Sequence, residues 1–367
     1  MEQREKNPLK VAIIGTNGIP AKYGGFETLV EYLTLHLGNK FNLSVYCAKT
    51  PKEKRLSEYN GAKLIYLPFK ANMAQSIIYD YVSFFHAWLY ADIILILGCS
   101  GCTILPFKYF FKRRKLILNL GGMDWQRSKW NFLTRKFLKF SESMAVRFSD
   151  VIISDNTMIA EYLKKTYDRN SHIVEYGGDQ AFRVELNGNV DHYFFLNQPY
   201  YLAVSRIQRD NNLEMMLETF SKLPDKTFVL ISNWDFSPYG KEVKAKYGGY
   251  KNLHLIGPIY DQKELNLIRS NCVAYIHGHS GGGTNPALTE AMFLSLPILA
   301  FGVSFNRATT ENKAEYFNDE FELKDLILTL KSDRLKKIGE EMKEIADRRY
   351  IWSKISSKYA DVFLAEN

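Results

Sequence analysis

Apolar residues along the 367-residue chain fall into two alternating rhythms, short continuous runs and longer stretches with a period of about 3.6 residues. The runs Lys10 to Gly15, Asn42 to Ala48, Lys63 to Phe69, Asp92 to Gly98, Lys115 to Leu120, Val151 to Ser154 and His172 to Tyr176 read as strands with helices between them. The clearest helix carries Phe26, Leu29, Val30, Leu33 and Leu37 on one apolar stripe, and Gly38 ends it. After a polar, asparagine-containing stretch from Glu185 to Gln198 a second series begins. Its strands are Tyr200 to Arg206, Thr227 to Ser232, Asn252 to Gly257, Cys272 to His277 and Pro297 to Phe301, with helices starting near Asn212, Asp261 and Pro286. Ile351, Ile355, Tyr359 and Phe363 recur at four-residue spacing on a terminal amphipathic helix. Such alternation predicts parallel sheets with crossover helices. Two series of similar size suggest an α/β chain of two Rossmann-like domains facing each other across a cleft, residues 1–185 and 186–349.

Composition agrees with a globular enzyme: 46% of residues are hydrophobic and 24% charged, which excludes collagen, mucin and wholesale disorder. Cys47, Cys99, Cys102 and Cys272 are too few and too scattered for a disulfide scaffold and point to a reducing compartment. Met1 to Lys10 is polar and the run VAIIG is shorter than the core of a signal peptide, so none is expected. Ile93 to Phe107, a long uncharged apolar stretch, is interrupted by Gly98, Cys99, Ser100 and Gly101, so no membrane span is expected either.

Charge changes the picture more. Between Asp92 and Glu142 the only acid is Asp124, against ten bases: Lys108, Lys112, Arg113, Arg114, Lys115, Arg127, Lys129, Arg135, Lys136 and Lys139. That segment nets +9 (ten minus one) while the whole chain nets +8, so the rest sums to −1. Phe107, Tyr109, Phe110, Phe111, Trp125, Trp130, Phe132, Phe137 and Phe140 are interleaved with the bases. The mixture suits an anionic lipid surface met by residues 93–141, or a solvated basic face above core aromatics. Nucleic acid is not expected, because no zinc-finger spacing, RNP motif or basic leucine zipper is present.

Four segments could carry chemistry. The first strand runs into Gly15-Thr16-Asn17-Gly18-Ile19-Pro20-Ala21-Lys22-Tyr23-Gly24-Gly25, where backbone N–H groups could meet an anion or simply turn the chain. The spacing is neither GxGxxG nor a Walker motif, and the second strand ends without an acid for a nicotinamide ribose, so a dehydrogenase is not expected. In His277-Gly278-His279-Ser280-Gly281-Gly282-Gly283-Thr284-Asn285-Pro286 a strand ends in a triple glycine before a helix capped by Asn285 with Pro286 at its first position. Several unpaired amides at that helix start would seat a pyrophosphate, and Glu290, one turn in, would reach a ribose hydroxyl. His277 and His279 lack a third ligand at metal spacing, so no metal is expected. Arg206, at the end of the strand opening the second series, could clamp phosphate oxygens or sit in a surface ion pair with Asp210. Asn119-Leu120-Gly121-Gly122-Met123-Asp124 puts one carboxylate, Asp124, at a strand end of the first domain, where a capping or turn role is the plainer reading.

Taken together, KVAIIGTNGIPAKYGGFETLVEYL, SRIQRDNNLE and HGHSGGGTNPALTEAM resemble the retaining glycosyltransferases of family 4, and within them the bacterial rhamnosyltransferases of cell-surface polysaccharide assembly. The likeness covers nearly the whole chain. It implies the GT-B fold, with an acceptor-binding first domain to which the terminal helix, residues 350–367, returns, and a nucleotide-sugar-binding second domain. By this resemblance Gly24 and Gly25 contact donor phosphate and acceptor, Arg206 grips the pyrophosphate and Glu290 holds the nucleotide ribose. The amides of Gly283, Thr284 and Asn285 hold the distal phosphate, and Asn211, Gly282 and Tyr260 complete the donor-binding set. Arg206, Glu290 and Asp124 are the implied catalytic residues, with Asp124 orienting or deprotonating the acceptor. Three positions depart from the family. Gly282 stands where the first of two paired glutamates is usual, Asn211 stands where a lysine is usual, and the first-domain histidine that reads a sugar 6-hydroxyl is represented only by Gly121 to Asp124. The last departure fits a 6-deoxy sugar. The resemblance therefore implies transfer of a sugar, rhamnose from dTDP-rhamnose, to a lipid-linked saccharide at the inner face of the cytoplasmic membrane, with no cofactor or metal. Two other readings stand beside it: a sugar-nucleotide 2-epimerase of the same fold, which would need acid/base groups that the acid-poor glycine loops lack, and a catalytically silent nucleotide-sugar-binding partner.

Overall fold

A computed structural model describes residues 8–22, 24–71, 74–110, 113–127, 130–186 and 193–365. Tyr23 of the first glycine loop, and Phe111, Lys112 and Lys129 of the basic segment, lie outside the described residues. The chain divides into two compact units.

The first unit holds β1 (Lys10–Ile14), α1 (Gly25–Leu37), β2 (Asn42–Cys47), β3 (Glu58–Tyr59), β4 (Ala62–Tyr66), α2 (Ala74–Tyr90), β5 (Ile93–Leu97), β6 (Lys115–Leu120), α3 (Phe132–Phe148), β7 (Val151–Ser154), α4 (Thr157–Tyr167) and β8 (His172–Ile173). They build one sheet in the order β3-β4-β2-β1-β5-β6-β7-β8, parallel except for the β3–β4 pair. β5 and β6 are buried at every residue, as central strands covered on both faces must be, and their sequences IILIL and KLILNL are accordingly continuous rather than alternating. Gly15 is required where β1 ends. Its φ is +86°, and a Cβ there would stand 2.3 Å from the Leu97 carbonyl oxygen.

The second unit opens at Tyr176 and runs through β9 (Tyr200–Val204), α5 (Leu213–Ser221), β10 (Thr227–Ile231), α6 (Pro238–Tyr247), β11 (Leu253–Ile256), α7 (Gln262–Ser270), β12 (Ala274–His277), α8 (Pro286–Phe293), β13 (Ile298–Phe301), α9 (Ser304–Thr309), β14 (Glu315–Phe317), α10 (Glu320–Thr329) and α11 (Ser332–Arg349). Its sheet is wholly parallel in the order β11-β10-β9-β12-β13-β14. Separate apolar clusters pack on its two faces. Tyr200, Leu202, Tyr275 and Ile298 belong to one, and Phe228, Leu230, Ile276 and Leu299 to the other. Residues 176–186 lie with this unit: Gly178 N donates to the Tyr350 carbonyl at 2.8 Å and Val184 N to Ser270 Oγ at 3.1 Å.

The terminal helix α12 (Trp352–Leu364) packs back on α1 of the first unit. Trp352 stacks on Tyr32 with ring centroids 4.6 Å apart, and Phe363 meets Phe41 edge-on. The buried Lys115 ammonium donates to the Val362 carbonyl at 2.7 Å, a cation set on the carbonyl end of a helix.

Candidate functional site

In open α/β sheets ligands bind beyond the carboxyl ends of the strands where the strand order reverses. That point falls between β1 and β5 in the first sheet and between β9 and β12 in the second. Each glycine-rich segment follows one of these strands.

In the second unit the loops after β9 and β12 are laced together. Asn212 Nδ2 donates to the Gly278 carbonyl at 2.9 Å, while Ser280 N and Oγ both donate to the Asp210 carbonyl at 2.8 Å. Gly278 permits this approach, since a Cβ would stand 2.5 Å from the Asn211 carbonyl oxygen. Asn211 is buried and its amide donates to the Arg206 carbonyl at 2.8 Å, so its side chain braces the loop from which the exposed Arg206 emerges. Gly281 and Gly282 are built differently. Nothing lies within 4 Å of a Cβ at either, and Gly282 has φ +116°. Their backbone borders open space rather than packed protein.

The start of α8 corrects one expectation. It is not a row of unpaired amides, because Asn285 Oδ1 accepts from Ala287 N at 2.9 Å and Pro286 has no N–H. Just before it, the backbone of Gly281 and Gly282 borders open space, while Thr284 is buried. Glu290 is buried beneath this turn in a pair with Arg269 of α7, and it accepts from Gln180 Nε2 at 2.6 Å. Neither Arg269 nor Gln180 was expected from the sequence; an arginine in the middle of an otherwise ordinary helix gives no signal of its partner. His277 and His279 stack with centroids 4.4 Å apart. Burial lowers the His277 imidazole to about 3, and burial, His277 and the Arg206 charge push His279 well below the ordinary range, so both rings are neutral. Tyr260 is 67% exposed beyond the end of the edge strand β11, with two strands between it and β12.

In the first unit the glycine loop already holds an anion of its own. The buried Glu27 carboxylate accepts from Asn17 N at 2.9 Å, Asn17 Nδ2 at 3.0 Å and Thr16 Oγ1 at 3.1 Å, and Glu31 accepts from Ala21 N. Those two amides are therefore not available for donor phosphate as the sequence suggested. Gly24 caps α1 with φ +117°, where a Cβ would fall 2.1 Å from Glu27 Oε2, and Gly25 begins the helix. Phe26 brings this corner to the other strand ends: its ring lies 2.8 Å from a Cβ on Gly121 and 3.6 Å from one on Gly98. The half-buried Asp124 opens a single helical turn three residues beyond Gly121. A second carboxyl at this edge escaped the sequence reading. Asp80 of α2 accepts from Ser100 Oγ at 2.6 Å, and burial lifts it to about 7. Its signal was present, since it is the only acid in a helix of apolar and uncharged residues.

Residues 9–179 match the family described as "Domain of unknown function (DUF1972)". Solved structures align over nearly the whole chain. Sucrose-phosphate synthase of Thermosynechococcus elongatus is 15% identical with a TM-score of 0.82, covering 97% of this chain and 98% of that one. HepE of Anabaena in complex with UDP-glucose is 14% identical with a TM-score of 0.73, covering 97% and 99%. The N-terminal domain of Candida albicans trehalose-6-phosphate phosphatase is 11% identical with a TM-score of 0.68, covering 99% and 98%. Two doubly wound parallel sheets, each with a glycine-rich turn at its switch point, and a terminal helix packed on the first unit give this chain the GT-B fold.

Proposed function

We propose that the protein is a retaining glycosyltransferase that takes a sugar from a nucleotide diphosphate. The observation that carries this reading is the open backbone of Gly281 and Gly282 on a loop laced to the one bearing the exposed Arg206. A diphosphate seated against that backbone meets a bidentate cation and loop amides that are already in place, so charge developing on the leaving group is stabilised without reorganisation. Glu290, fixed by Arg269 and Gln180, keeps carboxylate lone pairs for a ribose hydroxyl. HepE, of the same fold, binds UDP-glucose, which supports a nucleotide sugar as donor.

The bond from the sugar anomeric carbon to the diphosphate breaks, and an acceptor hydroxyl forms the new bond on the same face. No protein nucleophile is needed. Asp124 orients or deprotonates that hydroxyl, and Gly24 and Gly25 line the acceptor side of the first unit. The donor is dTDP-rhamnose: with no histidine at Gly121 to Asp124 the site asks for a sugar lacking a 6-hydroxyl. The acceptor is a lipid-linked saccharide at the inner face of the cytoplasmic membrane, held near residues 93–141. Among the described residues no helix is long and apolar enough to cross a membrane.

A thermal-shift panel of nucleotide sugars tests the donor, since a ligand at 100 times its Kd stabilises by about 2.7 kcal/mol. Product analysis separates the readings. Release of free nucleoside diphosphate supports transfer, an inverted sugar still on its diphosphate identifies an epimerase, and a shift with no turnover identifies a silent binder.

A further inference from the structure

The outer face of α2 is apolar where a surface helix should be polar. Ile78, Val82, Phe85 and Leu89 recur at i, i+4, i+7 and i+11 and all are exposed, Leu89 at 79%. The patch continues off the helix: the Phe85 ring meets Phe107 at 6.5 Å, and Phe107 meets Phe110, 81% exposed, at 6.1 Å. Contiguous exposed apolar surface of this kind marks an interaction site.

Its surroundings select the partner. Arg113 is exposed three residues after Phe110, and Arg114 Nε donates to the Trp88 carbonyl beside Leu89 while its Nη1 lies 3.7 Å from Asp92 Oδ1. Lys108 lies between the two phenylalanines in sequence, paired with Asp150. The helix's one carboxylate, Asp80, is turned to Ser100. An apolar stripe with the exposed Arg113 at its margin matches a bilayer containing anionic lipids, where the stripe enters the acyl boundary and the guanidinium stays at the headgroups.

We propose that α2 and Phe107–Phe110 form an insertion surface by which the first unit sits in the interface of an anionic membrane. This deepens the reading of a lipid-linked acceptor and adds α2, which lies outside residues 93–141, to the membrane contact. The binding is apolar as well as electrostatic, so part of it survives high salt.

Sedimentation with vesicles of phosphatidylcholine containing about one third phosphatidylglycerol tests it without donor or acceptor. Its failure would leave the nucleotide-sugar shift untouched, and the reverse holds too. Leu89→Asp and Phe110→Asp should each lower the partition coefficient at least about tenfold at unchanged melting temperature, while the wild type keeps measurable binding at high salt. Leu89→Trp should add a blue-shifted emission quenched by lipids brominated on the acyl chain. Binding abolished by salt and indifferent to Leu89→Asp, or a Leu89→Trp signal that brominated chains do not quench, overturns insertion. So does self-association in the absence of vesicles that Leu89→Asp removes, which would assign the patch to a second copy of the chain.

Discussion

The guanidinium of Arg269 is paired with the carboxylate of Glu290, and both side chains are almost sealed from water, at 3% and 12% exposure. Within such a pair neither charge tolerates loss of the other, because the survivor stays buried without compensation. Arg269→Leu should therefore destabilise the second unit by about 3–5 kcal/mol, read as a fall in the urea midpoint. A cost below about 1 kcal/mol would show that solvent reaches the pair and that Arg269 does not position Glu290.

The glycines of the second loop separate folding from binding. At Gly278 a Cβ collides with the Asn211 backbone, so Gly278→Ala should unfold the lacing of the two loops and lower the melting temperature. At Gly281 a Cβ meets nothing. Gly281→Ala should change stability by less than about 0.5 kcal/mol yet weaken the thermal shift given by the donor. Donor binding unaffected by Gly281→Ala would place the diphosphate elsewhere.

Much of this was legible in the chain. The sequence reading anticipated twelve strands because a strand buried on both faces must be written as an apolar run, and the helix starts at Asp261 and Pro286 because capping needs those residue types. β3 and β14 were not anticipated. Glu315–Phe317 is too short and polar to register, and Glu58–Tyr59 is a strand only by virtue of the Asn60–Gly61 turn, a hairpin signal that went unused. Long-range pairing was illegible in principle. Nothing near Glu290 in sequence announces Arg269 or Gln180, and nothing near Asn17 announces that Glu27 would occupy the amide an external anion was expected to meet.

Arg206 and Asp124 should differ in which step they affect. Arg206 is exposed, so Arg206→Ala should leave the melting temperature unchanged while lowering turnover about a hundredfold or more, the cost of one preorganised charge-stabilising donor. Asp124→Asn should spare the donor thermal shift and reduce transfer to acceptor. Wild-type turnover in Arg206→Ala removes the guanidinium from the mechanism, and unchanged transfer in Asp124→Asn removes the carboxylate.

Acid should act on the second unit through His277. Its ring nitrogens have no hydrogen-bond partner among the described residues, and burial holds the imidazole at about 3 against an ordinary 6.5. The unfolded chain thus takes up the proton first, and stability falls as pH drops through the window from 6.5 to about 3. His277 alone supplies up to about 4 kcal/mol of that loss. His277→Phe, which keeps a ring stacked between Tyr275 and His279, should flatten the urea-midpoint profile over this range. An unaltered slope would mean that the ring is hydrated.

Asp80 should give the first unit the opposite slope. Burial raises its carboxyl from 3.8 to about 7, so between those values the folded state holds a proton that the unfolded state has released. Stability therefore declines as pH rises through that window, and above pH 7 the charged carboxylate is a standing cost of at most about 4 kcal/mol. Asp80→Asn keeps an oxygen that can accept from Ser100 Oγ but removes the charge. The variant should be more stable than the wild type at pH 8 and no different at pH 4, as measured by urea unfolding at the two pH values. If transfer activity also loses a titration near pH 7 in Asp80→Asn while Asp124→Asn retains it, the acceptor's proton is handled by Asp80, and Asp124 only orients.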